Sequence, residues 1–291
     1  MTFEPLKAFR LDVDETAYHQ DPCETPSLSS SVAKVLIGKS PMHAHHVHPR
    51  LGNGPREDKK EWDLGNIAHK LVLGKGREIA VIDADDYRKA DARAARDQAR
   101  AEGKIPALRE QYDNATVAAG VIAARLGDRG IVLSGESEVP IAWQERSNHG
   151  PIWCRGLIDH IVVEGDRAIV YDFKTSRSAH PAACARAVLQ YRYDVQQAAY
   201  TSGVSRVWPK VAGRVEFVFL FAEMVAPFGV TPGRIDDVLR EHGEAGWTKA
   251  IVDFGESLSS NQWPGYTNSI VTLEAPGWMI NEPEIGFEEV A

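Results

Sequence analysis

GLIDHIVVEGDRAIVYDFKTS, residues 156–176, consists of two runs rich in Val, Ile and Tyr joined by the turn-forming EGDR. β-Branched and aromatic residues on both sides of a polar, glycine-containing link predict a β-hairpin that turns around Gly165 and Asp166. Strand side chains alternate faces, so Asp172 and Lys174, two apart, point the same way. Folding back at the turn brings Asp159 beside Asp172. Two carboxylates and an ammonium then meet at one end of an otherwise apolar hairpin. Charge taken out of water is tolerated only when it is paired or bound to a metal, so this group needs a purpose.

Working outward, EVPIAW (138–143) and IWCRG (152–156) carry the same composition, which makes a three-strand meander. Residues 182–189 and 195–200 read as helices, RVEFVFLFAE (214–223) as a strand buried on both faces, and 232–252 as a further helix. Upstream, a serine run caps a helix over 29–38, which Pro41 ends. The histidines His43, His45, His46 and His48 lack acidic companions or helical spacing and read as an exposed loop or helix end. Residues 62–73 place Leu64, Ile67, Ala68, Leu71 and Val72 on one helical stripe with His69 off it and Gly65 one turn before it. Residues 86–103 form a charged, solvated helix, and Leu108, Tyr112, Ala115, Ala119, Ile122 and Leu126 keep the 3.6-residue period of a second long one.

The class expected is α/β (α+β), with a mixed central sheet flanked by helices. One domain spans 1–291, with a helical N-terminal portion over 1–133, a sheet core over 134–255 and a tail over 256–291.

Composition narrows the function classes. The chain has 291 residues, 43% of them hydrophobic, enough for one sizeable core, but no apolar run approaches the ~18 residues that cross a bilayer. MTFEPLKAFRLDVDE lacks a basic segment followed by an apolar run, which predicts a cytoplasmic protein rather than an exported one. Cys23, Cys154 and Cys184 are widely spaced without a CxxC pair, which excludes a disulfide framework or structural zinc and leaves buried thiols. A net charge of −8 excludes coating nucleic acid by bulk electrostatics and allows a local basic groove.

Hard oxygen ligands from two carboxylates suit Mg²⁺ or Mn²⁺, which accept phosphate oxygens as further ligands, and a neighbouring lysine stabilises charge growing in a transition state. The competing reading is a surface hairpin whose cross-strand pairs are worth less than ~1 kcal/mol.

Neighbouring motifs decide between the two. Asp159, twelve residues, then Asp172-Phe173-Lys174 resembles the signature of the PD-(D/E)XK nuclease superfamily. GNIAHKLVLG (65–74) resembles the GxxxHxxL helix of its RecB-like branch, and QQAAY supplies Gln196 and Tyr200 in that branch's QxxxY helix. LSSSVAKVLIGKSP (28–41) and WPGY (263–266) are similar to the phage and prophage exodeoxyribonuclease VIII (RecE-type) group. Departures are Ile158 before the first Asp, where the signature has Pro, and Asp172 where Glu is commoner.

The resemblance implies a restriction-endonuclease-like core. It makes His69 a metal ligand or orienting group, Asp159, Asp172 and the Phe173 carbonyl metal ligands, and Lys174 the catalytic lysine. Gln196 and Tyr200 would steady the substrate backbone or the lysine, and Glu138 is either a further acid of the site or a solvated strand-start residue. It further implies a Mg²⁺- or Mn²⁺-dependent 5′-to-3′ exonuclease on double-stranded DNA ends, a single-strand annealing protein as partner and a toroidal homo-oligomer. Arg155, Arg177, Arg186 and Arg192 are candidates for a phosphate track. The alternatives are a related endonuclease, a Cas4-like nuclease, whose four cluster cysteines the three here do not match, and a non-catalytic DNA-binding recombination scaffold.

Overall fold

The computed structural model describes residues 5–52 and 60–276, with the side chains of 60–64, and so Leu64 of the expected stripe, outside the description. In chain order the elements are β1 (Ala8–Arg10), α1 (Glu15–His19), β2 (Leu28–Ser29), α2 (Ser30–Gly38), α3 (Pro41–Val47), α4 (Lys60–Leu73), β3 (Ile79–Ile82), α5 (Ala90–Ala101), β4 (Ile105–Leu108) and α6 (Arg109–Gly127). β5 (Glu136–Ser147), β6 (Gly150–Glu164), β7 (Arg167–Ser176), α7 (Pro181–Gln190), α8 (Tyr193–Val207), β8 (Val215–Glu223), β9 (Val230–Gly233) and α9 (Asp237–Ser260) follow.

The predicted hairpin is present. β6 and β7 pair antiparallel from Glu164↔Arg167 to His160↔Tyr171, with Gly165 at φ +59 in the turn, a conformation glycine adopts without a Cβ penalty. β7 then runs parallel to β8 from Ala168↔Val215 to Ser176↔Glu223, so the sheet is mixed, in the order β1-β5-β6-β7-β8-β9. Phe217, Phe219 and Phe221 of β8 enter the large core under α2, α8 and α9, while Val218, Leu220 and Ala222 enter the core under α4 and α6. That is the two-faced burial expected of RVEFVFLFAE.

β6 changes partners along one edge. β5 covers its other edge between Gly150 and Ile161, so β2, which pairs parallel at Leu28↔Cys154 and Ser29↔Arg155, shares an edge with β7, whose ladder begins at His160. Residues 156–159 lie in the gap between these two partners, where the strands fork. Gly203 of α8 lets that helix lie close over the sheet, since a Cβ there would stand 2.8 Å from Trp143.

Three expectations change. The N-terminal portion is not only helical: β1 and β2 join the main sheet, and β3 and β4 form a separate parallel pair with its own core of Ile67, Ile105, Ala107 and Ala115. These strands are two to four residues long, too short for alternation to reveal. Pro232 lies in edge strand β9, where its missing N–H is tolerated, and the last helix starts at Asp237, capped by Asp236, and runs to Ser260. The histidine stretch is helix α3, and His48 at its end is buried, not exposed. His43 and His45 pack against Tyr266 and Trp263, so WPGY docks on this helix.

Candidate active site

The fork assembles the site. Asp172 and Lys174 share the β7 face that looks toward α8, as alternation requires, and Lys174 Nζ lies 2.5 Å from Asp172 Oδ2. One step past the last β6–β7 pair, Asp159 replaces the ladder with its side chain: its Oδ2 accepts the Phe173 N–H at 2.9 Å. Glu138 sits across from Asp159 on β5, between the pairs Ser137↔His160 and Val139↔Ile158. Its φ of +53 breaks the ladder at that point, a strain of the kind concentrated at functional sites. Three neighbouring strands thus carry three carboxylates in a row.

α4 supplies His69 from the opposite face. Its Nδ1 is 2.9 Å from Glu138 Oε1 and its Nε2 is 3.0 Å from Asp159 Oδ2. A ring with both nitrogens against carboxylate oxygens is satisfied only as the imidazolium. Burial opposes that charge, but Asp159 and then Glu138 outweigh it and raise His69 to about 10. Burial likewise works against the Asp159 carboxylate, yet His69 and Lys174 hold it below the usual range. Gly65, one turn away, faces Thr175 of β7 at an ordinary contact distance.

Asp172 is the group under most tension. Burial lifts it to about 6 against the pull of Lys174, with Asp159 adding repulsion. Burial also disfavours the Lys174 ammonium, but Asp172 and Asp159 hold it above the ordinary lysine value. Gln196 Nε2 donates to Asp172 Oδ1 at 2.7 Å, whereas Oδ2 is partnered only by the Lys174 ammonium.

The sequence reading missed Lys34 and Tyr193. Lys34 of α2 donates from Nζ to Gln196 Oε1 at 3.0 Å, and Tyr193 lies under both lysines, its ring centroid 5.0 Å from Lys34 Nζ and 4.8 Å from Lys174 Nζ. An ammonium only donates, so Lys34 fixes which end of the Gln196 amide faces Asp172. Burial lowers Lys34 to about 7, with Lys174 adding to the effect. Two signals pointed here: a lysine inside the apolar run VAKVLIG, and Tyr193, Gln196 and Tyr200 at helical i, i+3, i+7 spacing.

The other candidates sort by position. Tyr200 does not reach the carboxylates; it is buried against Gly156, beside Ser30. Arg155, offered for a phosphate track, is buried and donates to Ser27 O and Oγ at 2.9 and 2.7 Å, so it holds the chain together inside. Arg192 is engaged with buried Asp194 through both Nε and Nη2. Arg177 and Arg186 are exposed.

A hard divalent cation fits this donor set. Asp172 Oδ2 is a buried carboxylate oxygen whose one close partner is the Lys174 ammonium, and Asp159 and Glu138 add further oxygens. Among the described residues no three such side chains stand in ligating geometry, and His69 bridges Glu138 and Asp159 as the local cation.

Comparison with known proteins agrees with this architecture. A crystal structure named "Putative exonuclease", from Eubacterium rectale, superposes with a TM-score of 0.56 at 11% identity over 93% of this chain and 98% of its own. That likeness is one of fold. The structure of SSO0001, at a TM-score of 0.28 and 16% identity over 72% of this chain and 89% of its own, carries no weight. No curated protein sequence matches the chain. No described helix is long and apolar enough to cross a membrane. The family model described as "PDDEXK-like domain of unknown function (DUF3799)" matches residues 29–275, which include the fork, both lysines and the QxxxY helix, and the chain belongs to that family within the PD-(D/E)XK nuclease superfamily.

Proposed function

We propose that the protein is a metal-dependent deoxyribonuclease that hydrolyses DNA phosphodiester bonds, acting as a Mg²⁺- or Mn²⁺-dependent exonuclease on double-stranded ends. The observation that carries this reading is the convergence of Glu138, Asp159 and Asp172 with Lys174 at the β6–β7 fork. The three carboxylates would hold the ion. When bound, such an ion polarises the scissile phosphoryl group and neutralises charge gathering on its oxygens.

The chain's own residues do the rest. Lys174 stays an ammonium beside Asp172 and places a fixed positive charge next to the reacting phosphorus, where a preorganised cation needs no rearrangement as negative charge builds. Gln196, oriented by Lys34, ties down Asp172 Oδ1 and leaves Oδ2 for the ion. Tyr193 closes the side under both lysines.

The exonuclease mode draws support from the name of the Eubacterium rectale structure and from the RecE-type motifs. The 5′-to-3′ polarity, a role in phage-type recombination, a single-strand annealing partner, a toroidal oligomer and a cytoplasmic site of action rest on those motifs alone. The test is digestion of end-labelled linear duplex and closed circular DNA with Mg²⁺, Mn²⁺ or EDTA. Metal-dependent loss of the linear substrate with intact circles is expected. Cleaved circles would make the protein an endonuclease, and bound but uncut DNA in every metal would make it a scaffold.

A further inference from the structure

A cavity of about 180 Å³ opens beside His69, Glu138 and Asp159. Its lining also includes Lys70, Lys75 and Arg77, from the end of α4 and the connection to β3, with Glu15 and His19 of α1. This connection reads Gly74-Lys75-Gly76-Arg77, and both glycines hold positive φ, +72 and +117. A side chain at either place would be strained, so the path of the turn depends on glycine. The turn lies against the acidic floor: a Cβ on Gly76 would stand 3.9 Å from Glu138 Oε1.

We propose that this turn is a phosphate-binding lip, with Lys75 and Arg77 holding a DNA backbone phosphate next to the one that reaches the carboxylates. The inference rests on the nuclease reading and names groups that grip the substrate at the same site. Lys70 is engaged in shaping the turn, since its Nζ donates to Gly76 O at 3.0 Å. Lys75 is exposed and has no ion-pair partner among the described residues. Arg77 is only loosely held, with its Nε 3.4 Å from Glu15 Oε1. In a chain of net charge −8, cations gathered at one turn beside a row of acids steer a polyanion to that turn. Contacts to phosphates fix register on the duplex and read no sequence.

The test is fluorescence-anisotropy titration of a short duplex in EDTA, where nothing is cut, across a series of salt concentrations. Lys75→Ala combined with Arg77→Ala should weaken binding roughly tenfold for any sequence and flatten the plot of log affinity against log salt by about 0.9, for the one phosphate they hold. In Mg²⁺ the same protein should show a raised KM with kcat retained. Glu15→Gln, which frees Arg77, should tighten binding. Wild-type binding with an unchanged slope in the double variant overturns the lip alone, and a wild type that neither binds nor cuts DNA overturns the nuclease reading with it.

Discussion

Asp21 and Asp172 are both buried carboxylates facing cations, and the protein treats them in opposite ways. Asp21 is closed off: Ser27 donates to Oδ1 from its hydroxyl at 2.7 Å and to Oδ2 from its N–H at 2.8 Å, with Arg155 and His48 each 3.4 Å away. Both neighbours have partners of their own, since the Arg155 guanidinium donates from Nη1 to Ser27 and the neutral His48 ring meets Ser27 O through Nε2 at 3.0 Å. Asp172 is less enclosed, with one oxygen held by Gln196 and the other partnered only by the Lys174 ammonium at 2.5 Å. A buried charge whose polar partners are complete is a structural pin, and one left incomplete marks where an outside group belongs.

Each cluster should therefore break differently. Arg155→Met should cost about 3–5 kcal/mol of stability by leaving Asp21 buried beside a lost partner, while the folded fraction keeps its specific activity; urea unfolding alongside turnover per folded molecule checks this. Lys174→Ala should do the reverse. Cleavage should fall by ~10² to 10³ with Mn²⁺ affinity kept or increased, because the lost cation sat beside two carboxylates. Calorimetry and turnover on the same variant decide it, and retained cleavage would reduce Lys174 to a cross-strand partner.

A smaller effect probes the Lys34–Gln196–Asp172 chain. Lys34→Met should lower turnover, and in a Gln196→Ala background it should add little, a coupling of about 0.5–3 kcal/mol. Full additivity would mean that Lys34 acts without Gln196.

The two histidines give the finest test, in metal-free protein. Burial, reinforced by Arg155 and Arg50, drives His48 down to about 4 against Ser27 and Asp21, whereas His69 stands near 10. Below its unfolded value, ordinarily about 6.5, His48 is protonated only in the unfolded chain, so stability is lost as pH falls from there toward 4. His69 is the converse: its stabilisation is complete below about 6.5 and is lost as pH rises through 10. His48→Gln should flatten the acid limb of the melting profile and His69→Gln the alkaline limb. Identical profiles in both variants would erase the distinction between the clusters.

What the sequence revealed follows the range of the forces involved. The hairpin, the Asp172–Lys174 face and the Gln196 helix are written in local periodicity. Glu138 could be placed on a strand but not in the site, because its position depends on the register of β5 against β6. Arg155 was misread because an arginine near a charged motif looks the same in sequence whether it meets water or Ser27. The pairing of β1 and β2 into the main sheet joins segments more than 100 residues apart, which no local pattern encodes.

The close seat of α8 at Gly203 sets a tolerance for the whole catalytic apparatus. Relieving a Cβ at 2.8 Å from Trp143 to an ordinary 3.4 Å contact would lift the helix by roughly 0.6 Å, and the same helix carries the 2.7 Å bond from Gln196 to Asp172. Activity is thereby geared to packing two helical turns away. An alanine at 203 would act as a shim, detuning the reaction from a position that no substrate approaches.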